Sequence, residues 1–243
     1  MKFSFLYRGL KARLRDERAE IASLVKALGP AEIAVDVGAN KGSYLPSLSR
    51  AVPEGLVVAF EPQPHLAEYL KLACASAGIT NVIVEAVGVS EKKGILTLAI
   101  PGGDDSSPGA SFEQAVKERE SCRTVDVPVY TLDEYFGKEQ RRIGAIKIDA
   151  EGHELSVLRG AENILGKHHP LVVCECESRH MTHGSVETVL EYFHSLSYGG
   201  FFVHRSRLVP ISEFKPDIHQ SEVGERFWDR KDYCNNFIMM WQG

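Results

Sequence analysis

The stretch from residue 31 to residue 63, AEIAVDVGANKGSYLPSLSRAVPEGLVVAFEPQ, constrains the fold of this chain more than any other. It contains two short apolar runs, residues 33–37 and 56–60, whose β-branched side chains are typical of buried parallel strands. The first run ends in a loop that contains Gly38 and Gly42, and a helical pattern follows. Glycine permits positive φ angles and close approach of the backbone to a ligand. The stretch therefore predicts a strand, glycine loop, helix and strand of an α/β fold.

An acidic residue, Glu61, directly follows the second run, roughly 20 residues after the glycine loop. In doubly wound folds a carboxylate at this place accepts hydrogen bonds from a ribose diol, and ligands lie beyond the carboxyl ends of the strands. The pairing of the loop with Glu61 therefore predicts a cofactor that contains a nucleoside.

The spacing of the glycines indicates which cofactor this is. Dinucleotide-binding folds use G-x-G-x-x-G, which admits a pyrophosphate onto a helix N-terminus. Here the pattern is D-x-G-x-N-x-G, beginning at Asp36. It resembles motif I of the S-adenosylmethionine-dependent methyltransferases, and this resemblance implies that Asp36 and the loop backbone face the amino acid end of the cofactor. A glycine turn in some other α/β protein is the alternative.

Composition limits the class of protein. A chain of 243 residues suffices for one large domain. With 28 basic and 33 acidic residues, it lacks the basic excess of a nucleic-acid-binding protein, and a small molecule or glycan is the expected partner. No apolar stretch approaches the ~18 residues of a membrane span, and no signal peptide is evident. Five scattered cysteines fit a reducing compartment, so we predict a soluble, cytoplasmic protein.

Residues 1–30 predict an N-terminal amphipathic helical segment, followed by one domain over residues 31–243. Residues 1–28 contain seven Lys or Arg and three acidic residues, with apolar residues at mostly helical spacing. A basic amphipathic helix is typical of a membrane surface. Packing of the helix on the domain or on a second subunit is the favoured interpretation, which leaves a homo-oligomer open.

An insertion over residues 95–130 interrupts the alternation of strands and helices. A third strand, residues 82–88, precedes it, and the small side chains of Ala86 and Val87 would admit an adenine ring. Two further strands, at residues 95–100 and 124–130, flank a long polar loop. Such loops are often active-site lids or unstructured segments, and Ser111 and Phe112 are the best candidates for contact with the cofactor.

The second informative stretch is IGAIKIDAEGHE, residues 143–154. It predicts a buried strand with Asp149, Glu151 and His153 at its carboxyl end. Lys147 inside the strand requires a carboxylate partner, because charged side chains are rarely buried alone. Asp149, Glu151 or Glu175, the last from the following strand, could supply it. Two more strands are predicted at residues 200–203 and 236–241, separated by a long polar loop at 204–233.

Five segments, DVGANKGSY, FEPQP, TLDEYF, IKIDAEGHELSVLRGA and NNFI, resemble in order the signatures of the FkbM family of S-adenosylmethionine-dependent methyltransferases. The resemblance covers residues 31–240. It implies a Rossmann-like class I methyltransferase fold, α/β, with a seven-stranded, mostly parallel sheet, helices on both faces and an antiparallel last strand. It also implies O-methylation of a sugar, glycan or secondary-metabolite hydroxyl. An N-methyltransferase and a catalytically inactive cofactor-binding scaffold are the alternatives.

The motifs give a set of candidate site residues. The predicted cofactor-binding residues are Asp36, Gly38, Ala39, Asn40, Gly42, Tyr44, Glu61, Pro62, Ala86, Val87, Ser111 and Asp149. An alcohol needs a general base before it can attack a methyl group. The catalytic candidates are Asp149, Glu151, His153 and Lys147, with Asp149 or Glu151 favoured as base or substrate clamp.

A divalent metal is the remaining alternative. Asp149 and Glu175 or Glu177 occupy places similar to those of Mg²⁺ ligands in catechol O-methyltransferase, and oxygen ligands suit a hard cation. Pairing of these acids with Lys147 and Arg179 is the favoured interpretation, so a metal is not required by the sequence.

Overall fold

The computed structural model describes residues 1–102, 107, 109–114, 122–182, 184–230 and 232–243. The strands are β1 Ile33–Val37, β2 Leu56–Phe60, β3 Val82–Glu85, β4 Gly88–Val89, β5 Gly94–Pro101, β6 Cys122–Tyr130, β7 Ile143–Asp149, β8 Leu171–Glu175, β9 Tyr198–His204, β10 Arg207–Pro210 and β11 Asn236–Trp241. The helices are α1 Lys2–Lys11, α2 Arg18–Ala27, α3 Leu45–Ala51, α4 Pro64–Ala77, α5 Leu132–Tyr135, α6 Glu154–Arg159, α7 Glu162–His168, α8 Val186–Ser195 and α9 Pro216–His219.

The main sheet has eight strands in the order β10-β9-β11-β8-β7-β1-β2-β3. Strands β3, β2, β1, β7 and β8 pair in parallel, whereas β11 is antiparallel to both β8 and β9. Apolar side chains bury both faces of the sheet in two core clusters. The predicted Rossmann-like fold is therefore confirmed, including the antiparallel last strand.

An eighth strand, β10, extends the predicted seven-stranded sheet. It pairs antiparallel with β9 and lies at the sheet edge. Its four residues, RLVP, end in proline, which lacks an N–H for the ladder and is confined to edges. So short a segment inside a polar stretch shows little alternation of apolar and polar residues, and the sequence therefore predicts a loop there.

The predicted insertion forms a separate three-stranded sheet, β4-β6-β5, in which β5 and β6 pair antiparallel along eight residues. The expected third strand is shorter than predicted, because it ends at Glu85 and the chain joins the small sheet at Gly88. Of the predicted loop, residues 103–106, 108 and 115–121 lie outside the described residues. Ser111 forms an isolated antiparallel β-bridge with Ala99 of β5.

The N-terminal helices pack against one face of the main sheet. A π-helical turn, Ala12–Asp16, joins α1 to α2, and Phe5, Ile21 and Leu24 lie in the core with α3 and α4. At Gly9 an added Cβ would lie 2.7 Å from Pro46 Cγ, so glycine allows α1 to approach α3. The boundary at residue 30 stays a prediction. None of the described helices is long and apolar enough to cross a membrane.

Local signals account for several helix ends. Pro64 begins α4, where its missing N–H is not needed, and Gly78 ends it with a φ of +73°. Thr131 caps α5, because its side chain accepts a hydrogen bond from Glu134 N at 2.9 Å.

Candidate active site

Two adjoining cavities lie at the carboxyl ends of β1, β2, β7 and β8. The first, called cavity A, has a volume of about 520 Å³ when the space open to solvent is included. It is lined by Val37, Gly38, Asn40, Phe60, Glu61, Pro62, Gln63, Val87, Gly88, Val89, Leu98, Ala110, Phe112, Asp149, Ala150 and Glu151. The second, cavity B, has a volume of about 950 Å³ and is more open. It is lined by Arg8, Glu17, Gly38, Ala39, Asn40, Lys41, Ser43, Tyr44, Lys147, Asp149, Glu175 and Asn236.

The glycine loop forms the wall between the two cavities, since Gly38 and Asn40 line both. Gly38 has a φ of +72°, and a Cβ there would lie 1.8 Å from the carbonyl oxygen of Asp149. Its N–H donates to Phe60 O at 2.9 Å. A side chain at position 38 would therefore push β1 and β7 apart at the edge where the site is built.

Glu61 is almost fully buried at the end of β2 and faces cavity A. Its two carboxylate oxygens accept hydrogen bonds from Asn40 N at 2.7 Å and from Gln63 N at 2.9 Å. Burial raises the pKa of Glu61 from 4.5 to about 7, although the two N–H donors act in the opposite direction. Each oxygen keeps a further lone pair, so the carboxylate can accept hydrogen bonds from a ligand.

The far side of cavity A is apolar and comes from the small sheet and the segment after it. Phe112, Leu98 and Ala110 line it opposite Val87. A Cβ on Gly88 would lie 2.6 Å from Phe112 Cζ, so this ring is packed directly over the turn. The sequence identified Val87 and Phe112 but missed Leu98 and Ala110, because their place depends on how the insertion folds back.

Lys147 is the centre of a buried charge network beside cavity B. Its ammonium group donates to Gly38 O at 2.9 Å and lies 3.2 Å from Asp149 Oδ2 and 3.5 Å from Asp36 Oδ1. Burial alone would lower the Lys147 pKa, but the carboxylates of Asp149 and Asp36 raise it above its ordinary value. The predicted need for a carboxylate is met by Asp149. Asp36, which is the register partner of Lys147 in the β1–β7 pairing, was not predicted as a partner of the lysine.

Glu17 is a site residue that the sequence did not reveal. It lies between the π-helical turn and α2, as the N-cap residue of α2, and lines cavity B. Burial raises its pKa from 4.5 to about 7, while Lys147 and a hydrogen bond with Tyr44 lower it. Among the described residues, its Oε2 atom has no hydrogen-bond partner although it is buried. Glu17 therefore presents one unengaged carboxylate oxygen near the end of β7.

The loop between β7 and α6 is held in a strained conformation. Glu151 has a φ of +51° and Gly152 of +100°, and the buried Glu154 accepts hydrogen bonds from Ala150 N and Gly152 N at 3.1 and 3.0 Å. Glu151 lines cavity A, and its side chain pairs with His180 at 2.6 Å. Glu151 is therefore paired with His180, and the carboxylates beside Lys147 are those of Asp149 and Asp36.

The His153 side chain lines neither cavity. Its Nε2 lies 3.0 Å from Ser90 Oγ, and its Nδ1 lies 3.0 Å from Glu113 Oε1. Ser111, next to this contact, donates its hydroxyl to Glu151 O at 2.6 Å. These bonds attach the segment that carries Phe112 to the β7–α6 loop. His153 and Ser111 thus lie behind the wall of cavity A rather than on its surface.

The predicted site residues divide into three groups. Those that line cavity A are Gly38, Asn40, Glu61, Pro62, Val87, Asp149 and Glu151. Those that line cavity B, apart from the shared residues, are Ala39, Tyr44, Lys147 and Glu175. Those that line neither cavity are Asp36, Gly42, Ala86, Ser111 and His153.

Two residues of this last group, Gly42 and Ala86, contribute to packing of the core instead. An added Cβ on Gly42 would lie 2.7 Å from Leu70 and 2.8 Å from Phe5, so this glycine allows the loop to pack on α1 and α4. Ala86 packs with the core cluster on the α1 and α4 side of the sheet, whereas Val87 packs with the opposite cluster.

Two of the candidate metal ligands lie on neighbouring strands. Asp149 and Glu175 are register partners on β7 and β8 and both line cavity B. Glu175 accepts a hydrogen bond from Asn235 Nδ2 at 2.7 Å, and burial raises its pKa well above the usual value. Within the described part of the chain, no group of three or more His, Cys, Asp or Glu side chains is arranged to hold a metal ion.

Known proteins with related sequences are methyltransferases. "Methyltransferase 1" of Beauveria bassiana (strain ARSEF 2860) is 26% identical over 144 residues, and "Methyltransferase sdnD" of Sordaria araneosa is 30% identical over 154 residues. Each alignment covers 53% of this chain. The chain spans 58% and 60% of the lengths of these two curated relatives.

Solved structures with the same fold include methyltransferases of low sequence identity. The methyltransferase FkbM from Methylobacillus flagellatus KT has a TM-score of 0.54 and 17% identity, over 97% of this chain and 53% of that one. An rRNA methylase from Streptococcus thermophilus has a TM-score of 0.52 and 15% identity, over 94% and 98% of the two chains. A Streptococcus mutans protein in complex with SAH has a TM-score of 0.51 and 12% identity, over 93% and 96%.

The sequence profile of the methyltransferase FkbM domain matches residues 36–199, more than half of the chain. The match begins at Asp36 in the glycine loop and includes Glu61 and the whole of β7, so it spans the residues that build cavity A. The resemblance drawn from the sequence motifs is confirmed, and the chain belongs to the FkbM methyltransferase family.

Proposed function

We propose that this protein transfers a methyl group from S-adenosylmethionine to a hydroxyl group of a sugar, glycan or secondary metabolite. The observation that carries the proposal is the buried Glu61 carboxylate, held by the N–H groups of Asn40 and Gln63 and open to cavity A. Family membership and the names of the relatives support methyl transfer. The SAH in the Streptococcus mutans structure supports the choice of cofactor.

The residues of cavity A fit the parts of S-adenosylmethionine. Glu61 would accept hydrogen bonds from the ribose hydroxyls, and Phe112 with Val87 would enclose the adenine ring. Gly38 and Asn40 would lie against the amino acid end, which is next to Asp36 and Lys147. When bound, the cofactor supplies a methyl group that is already electrophilic on its sulfonium sulfur.

Cavity B is the proposed place of the acceptor, because it meets cavity A at Asp149 and the glycine loop. Its lining is rich in carboxylates, amides and cations, which suits a ligand with several hydroxyl groups. Holding the acceptor oxygen in line with the methyl group is the main contribution that the protein can make to such a transfer.

Two carboxylates of cavity B are assigned different roles in this proposal. Asp149 is already engaged by the Lys147 ammonium group at 3.2 Å, so we assign it to holding the acceptor hydroxyl. Glu17 has an unengaged oxygen and a pKa of about 7, so we assign it to accepting the hydroxyl proton. A base whose pKa lies near the operating pH transfers protons most effectively.

Transfer of a labelled methyl group tests the proposal. The purified chain is incubated with S-adenosylmethionine carrying an isotopic methyl label and a panel of sugars, oligosaccharides and hydroxylated metabolites. We expect label on an oxygen of at least one compound, as an acid-stable methyl ether. Label found on nitrogen would instead support the N-methyltransferase, and binding of the cofactor without transfer to any acceptor would support an inactive scaffold.

Replacing His153 with alanine should separate positioning from catalysis. The side chain lies outside both cavities, so kcat at saturating cofactor should stay within about twofold of the wild type. Loss of the contact with Glu113 should loosen the segment that carries Phe112 and weaken cofactor binding by roughly two- to tenfold. Calorimetry with S-adenosylhomocysteine and steady-state kinetics measure the two effects. A fall in kcat of about a hundredfold at unchanged affinity would identify His153 as the base.

A further inference from the structure

Helix α1 and the π-helical turn after it carry two apolar stripes, and only one of them packs against the domain. Phe5, Gly9 and Ala12, spaced by three and four residues, are buried against the domain. A second stripe of large apolar side chains, Phe3, Tyr7, Leu10 and Leu14, follows the same spacing on the other side. These four residues are 86%, 68%, 53% and 63% exposed. A helix that only packed on its own domain would have polar residues there.

Basic residues flank the exposed stripe. Lys2 begins α1, and Lys11, Arg13 and Arg15 follow in its last turn and in the π-helical turn Ala12–Asp16. Residues 1–18 contain six Lys or Arg and two acidic residues, in a chain whose net charge is −5. Positive charge is therefore concentrated on the segment that also exposes the apolar stripe.

We propose that α1 and the π-helical turn after it bind the surface of a membrane that contains anionic phospholipids, with Phe3, Tyr7, Leu10 and Leu14 inserted at the level of the headgroups. An apolar face bordered by Lys and Arg is the pattern of helices that lie in the membrane interface. Long basic side chains can keep their charges among lipid phosphates while their stems lie along apolar surface. The inner stripe attaches the helix to the domain, so the whole protein would be held at the bilayer.

The basic residues beside the exposed stripe disfavour a second copy of this chain as its binding partner. A two-fold contact through α1 would place the same basic residues of both copies side by side. Repulsion between like charges would oppose such a contact, whereas an anionic lipid surface attracts them. The proposal does not depend on the reaction that the protein catalyses.

Co-sedimentation of the purified full chain with lipid vesicles tests the proposal. We expect binding to vesicles of phosphatidylcholine and phosphatidylserine in equal parts, weaker binding to phosphatidylcholine alone, and weaker binding at high salt. The double substitution Phe3→Ser and Leu10→Ser should reduce binding by about tenfold or more, because it removes inserted apolar area. Substitution of Lys2→Gln and Arg13→Gln should reduce binding only to the anionic vesicles.

A matched control uses exposed apolar residues elsewhere on the surface. Ile95 and Ile218 are 72% and 62% exposed, and Ile95→Ser with Ile218→Ser should bind vesicles as the wild type does. Circular dichroism and the melting temperature confirm that each variant is folded. Absence of binding to the anionic vesicles, or equal binding by the Phe3 and Leu10 variant, would overturn the proposal. So would a dimer in light scattering that this variant abolishes while vesicle binding persists.

Discussion

Replacing Glu61 with alanine should weaken binding of S-adenosylhomocysteine by roughly ten- to a hundredfold, because hydrogen bonds to a charged group contribute about 1.5–3 kcal/mol. In the structure, each carboxylate oxygen accepts one backbone N–H and keeps a lone pair that can face cavity A. Calorimetric titration measures the dissociation constant directly and needs no acceptor. An affinity for Glu61→Ala within about twofold of the wild type would mean that the ribose does not bind there.

Two controls distinguish the ligand contact from damage to the loop. Glu85 ends the neighbouring strand β3 and accepts a hydrogen bond from the Tyr135 hydroxyl at 2.8 Å, and it does not line cavity A. Glu85→Gln should therefore bind the cofactor product as the wild type does. Glu61→Gln keeps the size of the side chain and one acceptor oxygen, so its loss of affinity should be smaller than that of Glu61→Ala.

The pH dependence of S-adenosylhomocysteine binding also tests the contact between Glu61 and the ribose. Burial raises the Glu61 pKa to about 7, and a ribose hydroxyl donates better to the carboxylate than to the protonated acid. Affinity should therefore be full above this pKa and fall as the pH drops through it, by about tenfold between roughly pH 8 and pH 6. Subtracting the titration curve of Glu61→Gln removes the contribution of other groups, and equal curves for both proteins would contradict the assignment.

Replacing Glu17 with glutamine should lower kcat by about two to four orders of magnitude, since a positioned general base contributes that much and glutamine cannot accept the proton. The affinity for S-adenosylhomocysteine should stay near the wild-type value, because Glu17 lines cavity B only. In the wild type, kcat should rise with pH through about 7 and then level off, because the base acts only when deprotonated. The variant should lack this rising limb.

Glu20 offers a control from the same helix. It is buried, and burial raises its pKa as well, but it lines neither cavity. Glu20→Gln should therefore keep the wild-type kcat above the pKa of Glu17 and keep the rising limb, moved to lower pH because the Glu20 charge raises the Glu17 pKa. If Glu17→Gln retained both the rate and the rising limb, the proton would have to go to another group, and Asp149→Asn would be the next variant to measure.

The sequence predicts those parts of the site that local chemistry determines. One short stretch of the sequence contains strands β1 and β2, Gly38 and Glu61. Because β1 and β2 are parallel, their carboxyl ends lie at the same edge of the sheet. Because a strand cannot bury an ammonium group alone, the sequence also predicts a carboxylate partner for Lys147. Asp149, two residues further on the same strand, is that partner.

The remaining parts depend on contacts between distant segments. Glu17 reaches cavity B because α1 and α2 pack against the sheet, and no spacing in the sequence connects it with Lys147, more than a hundred residues away. His153 follows a strand as a base would, yet the turn before α6 directs its ring to Ser90. The direction of a side chain at such a turn is determined by its partners, which the one-dimensional pattern does not contain.

A crystal structure of the protein with S-adenosylhomocysteine would show whether Glu61 binds the ribose of the cofactor. We expect the ribose hydroxyls to lie within hydrogen-bonding distance of Glu61, the adenine to lie between Phe112 and Val87, and the sulfur to face cavity B beside Asp149. A ligand bound outside cavity A, or a ribose turned away from Glu61, would contradict the proposed cofactor site.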